Sequence, residues 1–184
     1  MKGIVFREFL EMLENQFGQE MAEKIIEESD LPSGGAYTSV GTYNHHELIQ
    51  LVSQLSAASQ LAVPELVRAF GKHLFGRFVA RYPQFFEGIG SAFAFLERVD
   101  GIVHVEVRKL YPDVELPTFE CSNSAGSELT MIYRSQRPFA DLAEGLITGC
   151  AEYYGDPIDV RREDLSEVGQ GSCVRFTLSR RSNP

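Results

Sequence analysis

The repeat of apolar residues changes its period part-way along the chain, and this change constrains the fold more than any other feature. Phe6, Phe9, Leu10, Leu13 and Phe17 recur three or four positions apart, which places them on one face of a helix. The same spacing returns in Ala22, Ile25 and Ile26, in Leu48, Leu51, Val52 and Leu55, and in Leu66, Val67, Phe70, Leu74 and Phe78. It returns once more in Phe93, Leu96, Val103, Val107 and Leu110, which predicts one long helix from about Ala92 to Leu110. Further on the period becomes two. Leu129, Met131 and Tyr133 alternate with polar residues, as do Val174, Phe176 and Leu178, with Ile158 and Val160 as a weaker strand. Alternation of this kind marks half-buried strands. Helices followed by strands predict an α+β fold, an N-terminal helical part leading to an antiparallel sheet with a packed helix.

Punctuation supports these segments. Gly18 offers a stop to the first helix, and Asp30-Leu31-Pro32-Ser33-Gly34-Gly35 reads as a loop. Asn44 with Glu47 three residues later has the spacing of a capping box. Pro64 suits a helix start, Pro83 an interruption, and Pro138 and Gly155 bracket a helix carrying Leu142, Leu146 and Ile147. Gly169 and Gly171 supply turn residues before the last strand.

With 184 residues, 43% hydrophobic and 23% charged, the chain is expected to form a single domain over 1–184 with a sizeable core. Its net charge of −9 argues against nucleic acid, whose binding draws on phosphate neutralisation, and against an anionic membrane surface. Met1-Lys2-Gly3-Ile4-Val5-Phe6-Arg7-Glu8 lacks the apolar core of a signal peptide. No stretch reaches the roughly 20 apolar residues needed to span a bilayer. Cys121, Cys150 and Cys173 are odd in number and widely spaced, which reads as a reducing, cytoplasmic setting without a disulfide framework.

The four histidines, His45, His46, His73 and His104, share no metal-ligand spacing. His45 and His46 flank the candidate cap Asn44 and are expected in solvent, as is His73 in its mixed polar stretch. His104 stands apart, within Gly101-Ile102-Val103-His104-Val105-Glu106-Val107. An imidazole in so apolar a segment needs partners, because a buried unpaired polar group is penalised. A backbone carbonyl or Tyr111 would serve as a partner; so would a metal, and a haem iron accepts a single histidine. With no CxxCH present, such a haem would be held non-covalently.

A second constellation is Tyr133-Arg134-Ser135-Gln136-Arg137. On extended backbone, alternate residues point to one face, so a phenol, a hydroxyl and a guanidinium would be presented together. Arginine's fork suits a carboxylate, and two further donors suit a second one. A dicarboxylate such as haem matches this set, although an ordinary solvated strand end would look the same.

Taken together and in order, Met1-Lys2-Gly3-Ile4, His104-Val105-Glu106-Val107-Arg108-Lys109-Leu110-Tyr111-Pro112, Leu116-Pro117-Thr118-Phe119, Tyr133-Arg134-Ser135-Gln136-Arg137 and Glu144-Gly145-Leu146-Ile147 resemble one family. They are similar to the haem-nitric oxide/oxygen binding (H-NOX) domains, of the bacterial stand-alone type, related to the haem domain of soluble guanylate cyclase. The likeness runs over nearly the whole chain. It implies non-covalent haem b between a helical distal subdomain (about 1–65) and a proximal subdomain with the sheet (about 66–184). By the same resemblance His104 is the iron ligand; Tyr133, Ser135 and Arg137 hold the propionates; Pro117 presses on the porphyrin. Val5, Phe78 and Leu142 would pack on the haem as well.

Oxygen-binding members carry a tyrosine nine residues after the first of the triplet, a position held here by Leu142. Leucine cannot donate to bound O2, so the resemblance implies a nitric oxide sensor that discriminates against O2 and also takes CO. NO would release the bond between His104 and iron, and the signal would pass to a separate partner, since the chain ends at Pro184 without an output domain. A sensor histidine kinase or a cyclic-di-GMP enzyme is the implied partner. Phe139 stands where some members place the first of their zinc cysteines, leaving Cys173 alone in that region, so no zinc is expected. The alternatives are an O2- or redox-sensing haem protein, a haem enzyme consuming NO or peroxide, and a haem-free binding domain. An enzyme would need distal acid–base groups, which the stretch around Leu142 does not supply.

Overall fold

The computed structural model describes residues 1–124 and 126–181, so the terminal Pro184 lies outside the described residues. Helices come first: α1 (Gly3–Phe17), α2 (Gln19–Glu28), α3 (His45–Ser59) and α4 (Val63–Arg81). Strands β1 (Thr118–Ser124) and β2 (Glu128–Ser135) follow further along, then a helix, α7 (Ala140–Tyr154), and strands β3 (Ile158–Asp164) and β4 (Ser172–Arg180). The four strands form an antiparallel sheet in the order β1-β2-β4-β3. This is the α+β arrangement expected from the change of period.

Local rules account for most boundaries. Gly18 and Gly155 end α1 and α7 at positive φ, 89° and 66°, where a residue without Cβ is favoured. Asn44 caps α3 by accepting the His46 backbone N–H at 3.0 Å. Glu47, however, does not complete a capping box. It is buried, and its carboxylate accepts from the hydroxyls of Ser33 and Tyr37 instead, so it ties the 30–37 loop to α3. Pro64 lies in the first turn of α4, which begins one residue earlier.

Two expectations fail. The long helix over Ala92–Leu110 is broken into α5 (Ala92–Leu96), a π-turn (Val99–Val103) and α6 (His104–Leu110). Gly101 at its centre is a poor helix residue, and the backbone N–H of His104 reaches five residues back to Val99. Strand β1 was not expected at all. It is an edge strand with one large apolar residue, Phe119, and little alternation to reveal it.

Two hydrophobic cores result. Phe6, Phe9, Leu13, Ile25, Leu51 and Leu55 centre the first. The second rests on the sheet, where Leu129 faces Leu178, Met131 faces Phe176 and Tyr133 faces Val174, all buried. Each such side chain contributes about 1.5–3 kcal/mol by leaving water. Helix α4 serves both, giving Leu66, Phe70 and Leu74 to the first and Phe75 to the second.

Helices α4 and α7 cross at glycines. A Cβ on Gly145 would sit 2.2 Å from the carbonyl oxygen of Arg68, and one on Gly71 2.5 Å from that of Leu142. Backbone lies on both sides, so neither can yield cheaply. The Gly145→Ala variant is therefore expected to lose stability by about 1–3 kcal/mol, the usual cost of overpacking. Denaturant unfolding measures it, and an unchanged midpoint would contradict the close crossing.

Candidate functional site

Between the two cores lies a cavity of about 330 Å³, within the range of small-molecule sites. Its walls are overwhelmingly apolar. His104, Pro117, Tyr133, Ser135 and Arg137 all line it, and so do Val5, Phe78 and Leu142. Residues more than a hundred positions apart in sequence are thus brought to one space by the packing of α1 on α4, of α4 on α7 and of α7 on the sheet.

His104 opens α6 directly after the π-turn and is 9% exposed. Its Nδ1 lies 3.0 Å from Oδ1 of Asp100, which replaces the carbonyl or Tyr111 considered from sequence. With Nδ1 committed, Nε2 is the nitrogen left for a ligand in the cavity. Burial lowers the pKa of the imidazole, against the opposite pull of Asp100, so the ring is neutral at pH 7. A neutral imidazole with one nitrogen held by a carboxylate is the form in which histidine binds a metal.

The donor triplet is arranged differently from the flat strand face expected. Tyr133 and Ser135 do lie on β2, but the strand ends at Ser135. Arg137 reaches the cavity through a turn in which Ser135 Oγ accepts the Arg137 backbone N–H at 3.0 Å. The Tyr133 hydroxyl is hydrogen-bonded to the Ser135 side chain and to the backbone of Phe139, and burial pushes its pKa up. Arg137 is paired with Glu115, Nη2 to Oε2 at 2.6 Å and Nη1 to its carbonyl at 3.2 Å. This guanidinium already binds one carboxylate, the chemistry a propionate requires. The donor set, the neutral imidazole and the apolar walls together fit a haem.

The Haem-NO-binding family model matches residues 2–162. The chain belongs to that family. It is therefore a haem-binding sensor domain rather than an enzyme. The Fe(II) unliganded H-NOX protein from K. algicida is 37% identical, with 100% of this chain and 98% of that chain covered and a TM-score of 0.91. An H-NOX from Shewanella woodyi, solved with IWP-051 in the Fe(II)CO state, is 41% identical over 98% of this chain and 95% of that one, at a TM-score of 0.83. The Fe(II)NO form of an H-NOX from S. oneidensis, at 22% identity, 99% and 100% coverage and a TM-score of 0.86, shares the fold.

In this H-NOX domain the wall around Leu142 is apolar, with Ile4, Val5, Leu74, Phe78 and Leu146 as neighbours in the lining. Tyr153 and Tyr154 do not line the cavity; Tyr153 packs on Phe75 and Phe86. Tyr82 does line it, but its hydroxyl accepts from Arg81 Nε at 3.3 Å on the exposed side.

Sequence reasoning missed several neighbours of the site. Asp100 was visible only as an acidic residue four positions before His104, and Glu115 only as a charge beside Leu116-Pro117. Two histidines also differ from expectation. His45 is half-buried, its ring 6.0 Å from that of Phe139. His73 is half-buried between α1 and α4, with Nε2 lacking a hydrogen bond and lying 3.9 Å from the buried Glu8 carboxylate. His46 is exposed as expected.

No helix among the described residues is long and apolar enough to cross a membrane. No group of three or more His, Cys, Asp or Glu among them is placed to hold a metal ion. Cys121, Cys150 and Cys173 are free thiols. Burial pushes Cys121 up to about 11, so little thiolate forms near neutrality. Its alkylation by iodoacetamide, followed by peptide mass spectrometry, is expected to keep accelerating with pH to near 11. An ordinary thiol levels off near about 8.5, and a plateau there for Cys121 would contradict this environment.

Proposed function

We infer that this H-NOX domain is a nitric oxide sensor that discriminates against O2. The observation that carries the reading is the asymmetry of the cavity: one neutral histidine and a set of carboxylate-binding donors on one side, and on the other the apolar wall of Leu142, where the tyrosine of oxygen-binding members is replaced. A haem bound here would supply a ferrous iron able to take up a diatomic gas. His104 is the iron ligand through Nε2. Tyr133, Ser135 and Arg137 hold the propionates, and Pro117, Val5, Phe78 and Leu142 pack against the ring.

The gas preference follows from what Leu142 lacks. Bound O2 gains negative charge and is held in proportion to the hydrogen bonds offered to it, whereas NO and CO on ferrous iron need none. The Shewanella woodyi relative was solved with CO on Fe(II), and the family is named for NO. Signalling would rest on the release of His104 from the iron of the bound haem once NO is taken up. The helix α6 that carries His104 is then free to shift against the segment holding Pro117. The helical core and the core on the sheet, joined by α4, would supply the two bodies whose relation changes, a bistable element of the kind a ligand switch needs. A separate cytoplasmic partner, a sensor histidine kinase or a cyclic-di-GMP enzyme, reads that change.

Absorption spectra of the reduced protein, alone and then with NO, CO and air, test the reading. The expected outcome is complexes with NO and CO, release of His104 on NO binding, and no stable complex under air. A persistent oxygen complex, or a nitrosyl spectrum in which the histidine stays bound, would overturn it. The Leu142→Tyr variant places a hydroxyl in the apolar wall. A hydrogen bond to a charged acceptor contributes about 1.5–3 kcal/mol, so O2 affinity is expected to rise about ten- to a hundred-fold. Flash-photolysis binding measurements would show it.

A further inference from the structure

Immediately before His104 the helix widens into the π-turn Val99–Val103. Such turns have weaker backbone bonding than an α-helix; here the Val103 N–H reaches the Arg98 carbonyl at 3.4 Å. The turn carries Asp100, whose Oδ1 stands 3.0 Å from His104 Nδ1. Side-chain exposure differs sharply between the two, 11% for His104 and 36% for Asp100. The imidazole is thus buried, while its carboxylate partner remains in touch with water. Besides Asp100, the charged group acting on His104 is Arg108, one turn further along α6.

We propose that Asp100 is a positioning residue that fixes His104 with Nε2 toward the cavity and sets how readily His104 releases iron when a gas binds opposite. The inference rests on His104 being the iron ligand. A carboxylate accepting Nδ1–H holds the ring in one tautomer and one orientation, and it adds negative charge to the ring, making Nε2 a stronger donor. How much charge it adds depends on its own surroundings. A fully buried carboxylate would bind the Nδ1 proton tightly, give the ring imidazolate character and keep the iron bond closed. Asp100 shares its charge with water, and Arg108 sets a positive charge against the ring. The ring is therefore held in place firmly while its donation to iron stays moderate, which suits a bond that must break in use.

Three variants test this in the haem-loaded protein. Asp100→Asn keeps an oxygen to accept from Nδ1 but removes the charge, Asp100→Ala removes both, and His104→Ala removes the ligand. In Asp100→Asn the iron–histidine stretching band of the ferrous protein is expected to fall in frequency, the midpoint potential to rise, and His104 to be released more completely by NO. Asp100→Ala is expected to lose haem to apomyoglobin about ten-fold faster or more, the scale on which metal sites respond to losing such partners, and Asp100→Glu to restore part of this. An unchanged band and potential in Asp100→Asn would overturn the proposal. If His104→Ala retained the band, the assignment of His104 itself would fail. A lost band there, with an unaltered Asp100→Asn, would reject the role of Asp100 alone. Circular dichroism of each variant separates misfolding from a local effect, and a folded Asp100→Asn suffices for the decision.

Discussion

Backbone meets backbone where α4 crosses α7, because Gly71 and Gly145 leave no Cβ between the helices. That close approach lets α4 give one stretch of its surface to the helical core and the next to the core on the sheet. Had the crossing been built on larger side chains, the helices would stand further apart and the two cores would not share a wall. Ion pairs reinforce the junction, with Arg68 of α4 and Arg162 of β3 both meeting Asp141 at the start of α7, at 2.9 and 2.7 Å. These groups are partly exposed, so their share is small beside the packing. The cavity is the space left where the two cores face each other without merging.

Within that space the chemistry is set by how each polar group is satisfied. His104 has given one nitrogen to Asp100, and Tyr133 and Ser135 are bonded to each other and to neighbouring backbone. Arg137 holds Glu115. Buried polar groups with partners are fixed in direction, so a ligand meets donors already aimed. The wall of Leu142 is apolar, and the Tyr82 hydroxyl in the lining is turned to Arg81 on the exposed side. Both halves of the site therefore follow from one rule about hydrogen bonding in an apolar setting, applied once by supplying partners and once by leaving donors out.

Much of this was legible in the sequence. Leu129, Met131 and Tyr133 revealed their strand because one face of it is buried, and Gly18 and Gly155 revealed helix ends because the backbone there adopts positive φ. The residues brought to the cavity were legible through their resemblance to a family, not through spacing alone. His104 and Arg137 are 33 positions apart and on different elements, and only the tertiary fold unites them. What stayed hidden had one physical character: a polar residue whose partner is distant, or a helix broken by a change too small to disturb its apolar rhythm. Glu47 looks like a capping glutamate until Ser33 and Tyr37 are seen beside it. Phe93, Leu96, Val103 and Val107 keep helical spacing straight across the π-turn, because one widened turn shifts their direction by less than the width of the buried face. The edge strand β1 stayed hidden for the opposite reason, having too little buried surface to impose a rhythm.

An acidic chain that binds a dicarboxylate looks electrostatically unfavourable, with a net charge of −9. Distance resolves the difficulty. At physiological salt the field of a surface charge fades over about 8 Å, so most of the acidic surface does not reach the cavity. Near the cavity, the positive charges include Arg137, only 18% exposed, the Met1 ammonium, and Lys2, which lines the cavity and lies 5.2 Å over the Tyr111 ring. The carboxylate that opposes them locally is Glu115, and it is 70% exposed. A carboxylate ligand arriving at Arg137 would displace or share an ion pair with that solvated side chain, which can return to water at little cost. Such an exchange would leave the half-buried guanidinium paired throughout. Lone buried charges are costly and paired ones much less so, and this is how a strongly acidic protein keeps a cationic clamp ready without leaving it unsatisfied.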